Sequence, residues 1–356
     1  MVVEIKEDVF NGSDFKGLNY LIQILTYKQR YALFVEYTLI RDTELYNKLD
    51  EDDKKEIEEN FNRIMTEGLD STHFISENSS FNLFNIEEAI RFFNQPISII
   101  LENSLNDQYF ITAIINHFDS LGEVKRHLDN GWIQFENAGS CTNVENFITG
   151  KLQSFNNFSF SYGKNNSQYL RCFVLLDSDK EYPTMASKPA YEKLSPFLSI
   201  NRISNHILEK REMENYMPEE VFDDIATNPD LRKWVNAYAY LSDQQKNHLD
   251  IYEGFPKKVA AHLSKKKKKK QRKRKTQHNH IFRTIRTELD INIQNLYGNV
   301  SKINFEILDK GFKLSDFKTE FPKHFEKHPL IHKKSLSKRT GSNELQDILD
   351  KITILL

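Results

Sequence analysis

An apolar run that ends in two acidic residues is the feature that most constrains this 356-residue chain. The run is FVLLDSD, residues 173–179, and its apolar part has the composition of a buried β-strand. Because side chains alternate between the two faces of a strand, we expect Asp177 and Asp179 to project to the same side. A buried strand that delivers two carboxylates at its end predicts a metal-binding edge.

Two other apolar runs also end in acidic residues. ISIILEN, residues 97–103, carries Glu102, and HILEKREMENYMP, residues 206–218, carries Glu212 and Glu214. Acids cap strands and begin helices in all proteins, and the chain has 51 Asp and Glu residues, so one such signal alone is weak. The order of the three runs, with helical segments between them, favours a single acidic site for a divalent cation.

From residue 96 onward, strand-like and helix-like segments alternate. We predict strands at 97–101, 132–136, 169–176 and 203–208, and helices at 107–117 and 142–149. Such alternation predicts an α/β fold with a mostly parallel sheet that helices cover on both faces. Binding sites in such sheets form at the carboxyl ends of the strands, which is where these acids lie.

The order of Glu, D-x-D and E-x-E resembles the Toprim domain of topoisomerases, primases and OLD-family (overcoming lysogenization defect) nucleases. The likeness is greatest to the OLD type, whose Toprim domain closes with a stretch similar to HILEKREMENYMP. It covers roughly residues 96–260. The resemblance implies a Rossmann-like sheet that binds Mg²⁺ or Mn²⁺ and hydrolyses phosphodiester bonds.

The resemblance also implies roles for individual acids. Glu102 is expected to be a metal ligand that can also act as the general base. Asp177 and Asp179 are expected to be paired metal ligands. Of the late acids, Glu214 matches the family better than Glu212, although the two could exchange roles.

This chain departs from the family pattern after the first Glu. The family usually has Gly directly after that Glu and an acid four residues after it. Here the two positions are Asn103 and Asn106, and Asp107 follows one position late. Both Asn106 and Asp107 therefore stay candidates for the metal ligand.

Two basic residues beside the late acids have two interpretations. Lys210 or Arg211 could neutralise charge on a phosphate and so take part in catalysis. They could equally form salt bridges to the neighbouring Glu209 or Glu212. The sequence leaves both interpretations open.

The rest of the chain narrows the activity that the resemblance implies. Topoisomerases and primases need a separate tyrosine-bearing domain or a zinc-binding region, and two isolated cysteines, Cys141 and Cys172, form no zinc motif. OLD proteins carry an ATPase domain, but no G-x-x-x-x-G-K-[ST] motif occurs here. By resemblance, we expect the effector nuclease of a PARIS-type anti-phage defence pair with a separate ATPase partner. The alternative is a non-catalytic Toprim-fold subunit that binds nucleic acid or regulates.

A basic tract, KKKKKKQRKRK, interrupts the chain at residues 265–275. Without its ten positive charges the rest of the chain has a net charge of −12 rather than −2. A homopolymeric lysine run predicts a solvated loop, and its charges also predict salt-dependent, sequence-independent binding of DNA or RNA. The candidate nucleic-acid-binding residues are Lys265, Lys266, Lys267, Lys268, Lys269, Lys270, Arg272, Lys273, Arg274 and Lys275.

These patterns divide the chain into four regions. We predict a helical N-terminal region at 1–95, a Toprim domain with a helical extension at 96–260, a basic low-complexity loop at 261–280, and a mainly helical C-terminal region at 281–356. The sequence has no long apolar run, so we expect a cytoplasmic protein that does not contact a membrane. Two cuts in a duplex are most simply made by two sites, so a homodimer is also expected.

Overall fold

Two parallel β-sheets flanked by helices form this protein. The computed structural model describes residues 1–157, 164–255 and 290–356. In that part of the chain, the first sheet has the order β2-β1-β3-β4 and the second has the order β6-β5-β7-β8. The strands are β1 (Val2–Ile5), β2 (Ala32–Phe34), β3 (His73–Ile75), β4 (Leu83–Phe84), β5 (Ile97–Leu101), β6 (Ile133–Asn137), β7 (Cys172–Leu176) and β8 (Ser204–Ile207).

The first sheet corrects the prediction that residues 1–95 are helical. The region does contain helices, but they pack on a four-stranded parallel sheet. Its strands have only two to four residues, which is too short for their alternation to stand out beside the helical periodicity. The helices are α1 (Glu7–Phe10), α2 (Phe15–Thr26), α3 (Tyr37–Ile40), α4 (Glu44–Lys48), α5 (Glu51–Glu67) and α6 (Ile86–Asn94).

The second sheet confirms the prediction of an α/β fold with a parallel sheet. β5 and β7 are buried along their whole length because helices cover both faces. Alternate side chains enter different cores: Ile99 and Phe173 pack on one face, and Ile100 and Val174 pack on the other. Helices α7 (Ser104–Phe118) and α8 (Glu123–Asp129) cover the first face, and α9 (Val144–Ser154) and α10 (Pro189–Ile200) cover the second.

The described part of the C-terminal region is helical, as predicted, and it completes the core on the α7 side of the second sheet. Phe325, for example, meets Phe110 of α7 edge to face, with ring centroids 5.2 Å apart. The same core continues to Leu356. The helices after β8 are α11 (Glu219–Ile225), α12 (Pro229–Ala239), α13 (Asp243–His248), α14 (Ile291–Leu296), α15 (Lys302–Leu308), α16 (Phe317–Glu320), α17 (His324–Lys327), α18 (Lys333–Thr340) and α19 (Glu344–Thr353).

Buried polar contacts join the two sheets. The Arg171 side chain is 2% exposed, donates to the Tyr31 hydroxyl and the Leu355 carbonyl, and stacks on the rings of Tyr31 and Phe92. Such contacts cost more if one partner is removed than they contribute when intact. They therefore fix the position of the first sheet against the second.

A buried ion pair makes a second link of this kind. Lys164, just before β7, lies 2.8 Å from the carboxylate of Glu88 in α6. Both side chains are almost fully buried, and the Tyr169 hydroxyl also donates to Glu88.

In the described part of the chain, every helix is too short or too polar to cross a lipid bilayer.

His127, in the last turn of α8, makes the folded protein sensitive to acid. Its side chain is 2% exposed, and its Nδ1 donates to the Glu123 carbonyl at 2.9 Å. Burial lowers the pKa of His127 to about 4, and the positive charge of Arg126 contributes in the same direction. The folded protein therefore holds this imidazole neutral at pH values where the unfolded chain protonates it.

We predict that the contribution of His127 to the free energy of unfolding falls as the pH is lowered from about 6.5 to about 4, because only the unfolded state then gains the His127 proton. This contribution changes by at most about 1.4 kcal/mol per pH unit. Urea unfolding of the wild type and of a His127→Gln variant at a series of pH values measures it. The variant should be less stable than the wild type at pH 7, and this difference should shrink as the pH is lowered; a difference that does not change with pH would contradict the assignment.

Candidate functional site

The acids predicted from the sequence lie at the carboxyl edge of the β5–β8 sheet. Glu102 directly follows β5, and Asp177 directly follows β7. Since β5 and β7 are paired neighbours in a parallel sheet, their carboxyl ends lie side by side. Glu212 and Glu214 follow β8, the next strand of the same sheet.

Glu102 is fixed by hydrogen bonds to both of its carboxylate oxygens. The backbone N–H of Cys141 donates to Oε2 at 3.1 Å, and the Tyr191 hydroxyl lies 3.4 Å from Oε1. Burial raises the pKa of Glu102, and the negative charge of Asp179 raises it further. This carboxylate is therefore held in place and is a stronger base than an exposed glutamate.

Asp177 interacts electrostatically with four of the other acids at this edge. Its Oδ1 accepts the backbone N–H of Met213 at 3.1 Å. This bond connects the end of β7 to residues 210–216, which contain Glu212 and Glu214 and are called the E-x-E segment below. Burial raises its pKa well above the ordinary aspartate value. Negative charges also raise it, and in decreasing order they belong to Glu214, Asp107, Glu212 and Glu102.

Asp179 departs from the expected strand geometry. We expected strand alternation to place it on the same side as Asp177, but β7 ends at Leu176 and Asp179 has a left-handed backbone with φ 53°. Its backbone N–H donates to the Arg211 carbonyl at 2.8 Å. Its carboxylate forms an ion pair with Lys188. Contact with the E-x-E segment, and not strand alternation, therefore sets the position of Asp179.

The structure distinguishes Asp107 from Asn106. Asp107 lies in the first turn of α7, where its Oδ2 accepts the backbone N–H of Asn103 at 2.8 Å. Burial raises the pKa of Asp107 to about 7, and the charge of Glu102 adds to this. For Asn106 the structure gives a backbone hydrogen bond to the Asn103 carbonyl. Asp107 is thus the acid of α7 that belongs to the carboxylate cluster.

Glu214 lies in a short 3₁₀ helix, Met213–Tyr216, that follows the basic pair. Burial raises its pKa, and the negative charges of Asp107 and Asp250 add to this increase. Because Asp177 and Glu214 also interact electrostatically, Glu214 belongs to the same cluster.

Glu212 lies beside it but is partly neutralised by a cation. Arg211 Nε is 3.0 Å from Glu212 Oε1, and Arg211 Nη2 is 3.0 Å from Asp250 Oδ2. Burial nevertheless raises the pKa of Glu212, and the charge of Glu214 contributes to the increase. For Arg211, the salt-bridge interpretation is confirmed.

Lys210 differs from both of its predicted roles. Its side chain is 3% exposed, and Nζ donates to Asn247 Oδ1 at 2.8 Å and to the Thr340 carbonyl at 3.1 Å, not to the neighbouring glutamates. The ammonium group also lies 5.2 Å from the centre of the Tyr216 ring. Burial lowers its pKa to about 8, and the positive charge of Arg339 contributes. Lys210 thus holds α18 against the E-x-E segment.

Sequence reasoning missed three residues at this site: Lys188 and Tyr191, which contact its carboxylates, and Asp250, which shares Arg211 with Glu212. Lys188 and Tyr191 reach the site because α10 starts at Pro189, directly after the loop that follows Asp179. The Lys-Pro pair at residues 188 and 189 is a helix-start signal that could have indicated this placement. Asp250 carries no such signal, because its contact with Arg211 depends on how α13 packs beside the E-x-E segment.

The chemistry of these donors fits a hard divalent cation. They are carboxylates, which Mg²⁺ and Mn²⁺ prefer. Their negative charges lie close enough to affect one another, so together they create a region of negative potential. Among the described residues, however, no three or more His, Cys, Asp or Glu side chains form a group arranged to hold a metal ion.

The predicted nucleic-acid-binding tract, residues 265–275, lies outside the described residues.

No protein-family model, curated protein or solved structure matches this chain.

Burial of these carboxylates, together with the repulsion between them, predicts that their contribution to the stability of the metal-free protein falls as the pH rises. The folded state raises the pKa of Asp107 from 3.8 to about 7, so between these values it holds a proton that the unfolded chain releases. In EDTA, Asp107→Asn should therefore raise the free energy of unfolding at pH 7.5 by about 1–3 kcal/mol and change it little at pH 4.

Urea unfolding at the two pH values tests this prediction. The matched control is Asp223→Asn, since Asp223 is exposed on α11. Equal effects of Asp107→Asn at both pH values would show that the folded protein does not raise the pKa of Asp107.

Proposed function

We propose that this protein is a Mg²⁺- or Mn²⁺-dependent nuclease of the Toprim type, similar to OLD-family nucleases, that hydrolyses DNA or RNA. The observation that carries the proposal is the meeting of Glu102, Asp107, Asp177 and Glu214 at one edge of a parallel sheet, where burial and the charges of nearby acids raise the pKa of each. Like charges in a buried site are costly unless a cation or a proton compensates them.

The candidate metal ligands are Glu102, Asp107, Asp177, Asp179 and Glu214, with Glu212 beside them. When bound, Mg²⁺ or Mn²⁺ would supply an activated water and neutralise charge on the phosphate.

Glu102 is suited to accept the proton of an attacking water. Burial raises its pKa, and Cys141 and Tyr191 contact its two oxygens. The single proton of the Tyr191 hydroxyl lies between Glu102 and the Asp177 carbonyl, so this hydroxyl bridges the ends of β5 and β7. These contacts would keep the base aligned with the other carboxylates during the reaction.

The partners follow from the rest of the chain. The basic tract at residues 265–275 would attract nucleic acid through phosphate contacts. Because the sequence has no phosphate-binding ATPase motif, control by ATP would come from a separate protein, as in two-component anti-phage defence systems. In this proposal the protein acts in the cytoplasm, as a homodimer that cuts both strands of a duplex.

A second candidate is a non-catalytic subunit that binds nucleic acid. Two observations favour it. Among the described residues, no set of three or more His, Cys, Asp or Glu side chains is arranged to hold a metal ion, and Asp179 is paired with Lys188. This candidate predicts salt-dependent binding without cleavage at any concentration of Mg²⁺ or Mn²⁺.

Cleavage of a panel of supercoiled DNA, linear DNA and tRNA with Mg²⁺ or Mn²⁺ distinguishes the two. We predict that wild-type protein, alone or with its activating partner, cuts at least one substrate. Glu102→Gln and Asp177→Asn should each reduce the rate by about 100-fold or more, because each removes a charged ligand and keeps the shape of the side chain.

The matched control is Glu145→Gln, which neutralises an exposed acid in the first turn of α9 and should cut at the wild-type rate. Cleavage that survives in both site variants would refute the site. Binding with no cleavage in any condition would favour the second candidate.

A further inference from the structure

Lys188 contributes a positive charge to the carboxylate cluster. It directly precedes α10, and its Nζ forms an ion pair with Asp179 Oδ2. The same ammonium group opposes the increase in the pKa of Glu102. The positive charge of Lys188 therefore acts on both Asp179 and Glu102, which follow the neighbouring strands β7 and β5.

The geometry of the ion pair between Lys188 and Asp179 allows another cation to replace the ammonium group. The side chains of Lys188 and Asp179 are 40% and 24% exposed, so water reaches both partners. A partly exposed ion pair of this kind is weak and forms reversibly. The backbone of Lys188 is held by the start of α10, whereas its four-carbon side chain is flexible, so the ammonium group can leave Asp179 without movement of the helix.

Asp179 has less freedom to move. Its backbone N–H is bonded to the Arg211 carbonyl, and its left-handed φ of 53° is restrictive for a residue other than glycine. A cation that binds Asp179 Oδ2 therefore competes with Lys188 for that oxygen.

We propose that Lys188 is an internal counter-cation that competes with a divalent ion for Asp179. This inference rests on the proposed function, because it assumes that the acidic edge binds Mg²⁺ or Mn²⁺. Without the ion, Lys188 lowers the repulsion between Asp179 and Glu102. When the ion binds, the ammonium group is released next to the site, within reach of a phosphate of the substrate.

Competition predicts that removal of the Lys188 charge strengthens metal binding. We expect Lys188→Gln to lower the Kd for Mn²⁺ by about 3- to 10-fold, measured by the electron paramagnetic resonance signal of free Mn²⁺ in the absence of nucleic acid. Lys188→Arg keeps the charge and should bind Mn²⁺ as the wild type does. Lys193→Gln, which removes an exposed charge from the same helix, should also leave the Kd unchanged.

The outcomes separate this inference from the proposed function. If wild type and Lys188→Gln bind Mn²⁺ with the same Kd, or the variant binds more weakly, Lys188 is not a competitor and the inference fails while the metal site stands. If Lys193→Gln shifts the Kd as much as Lys188→Gln does, the effect is one of net charge and the inference also fails. If no variant binds Mn²⁺, the proposed function and the inference fail together.

Discussion

Repulsion between carboxylates is the constraint on which the site depends, and the fold makes that repulsion unavoidable. β5 and β7 are buried along their length, so they cannot shift relative to each other without exposing apolar side chains. Each ends in an acid, and the E-x-E segment is tied to Asp177 through the N–H of Met213. The chain therefore accepts a cost in stability at this edge, which is typical of a functional site.

Contacts around the cluster prevent the carboxylates from moving apart, so their repulsion is not relieved. Arg211 holds Glu212 and Asp250, Tyr191 links the ends of β5 and β7, and Lys210 fixes α18 behind the E-x-E segment. On the α7 side of the sheet, the C-terminal helices pack on α7, which carries Asp107. The cluster is thus supported by regions that are far apart in the sequence.

Sequence patterns predicted the parts of this structure that depend on local order. Residues 97–101 form β5 as predicted, because five consecutive buried positions leave a clear signal, and the acids after β5, β7 and β8 share one edge because parallel strands require it. The first sheet was missed since its strands are very short and one of them begins with His73. The interaction of Asp107 with the other acids could not be predicted from the sequence, because it depends on the helix geometry of α7.

Contacts between distant segments could not be predicted. Asp179 leaves the strand pattern because it bonds to Arg211, Lys188 reaches it from α10, and Lys210 turns towards α18. Each of these contacts depends on packing across the sheet and not on spacing along the chain. The sequence therefore predicted which edge carries the site but not which basic side chain lies in it.

We propose that the carboxyl edge of the β5–β8 sheet binds a divalent cation. Anomalous diffraction from crystals soaked in Mn²⁺ tests this most directly. We predict a peak within about 2.5 Å of carboxylate oxygens of Asp177 and at least one of Glu102, Asp107, Asp179 and Glu214. A saturated crystal with no peak at this edge, or with its peaks elsewhere, would contradict it.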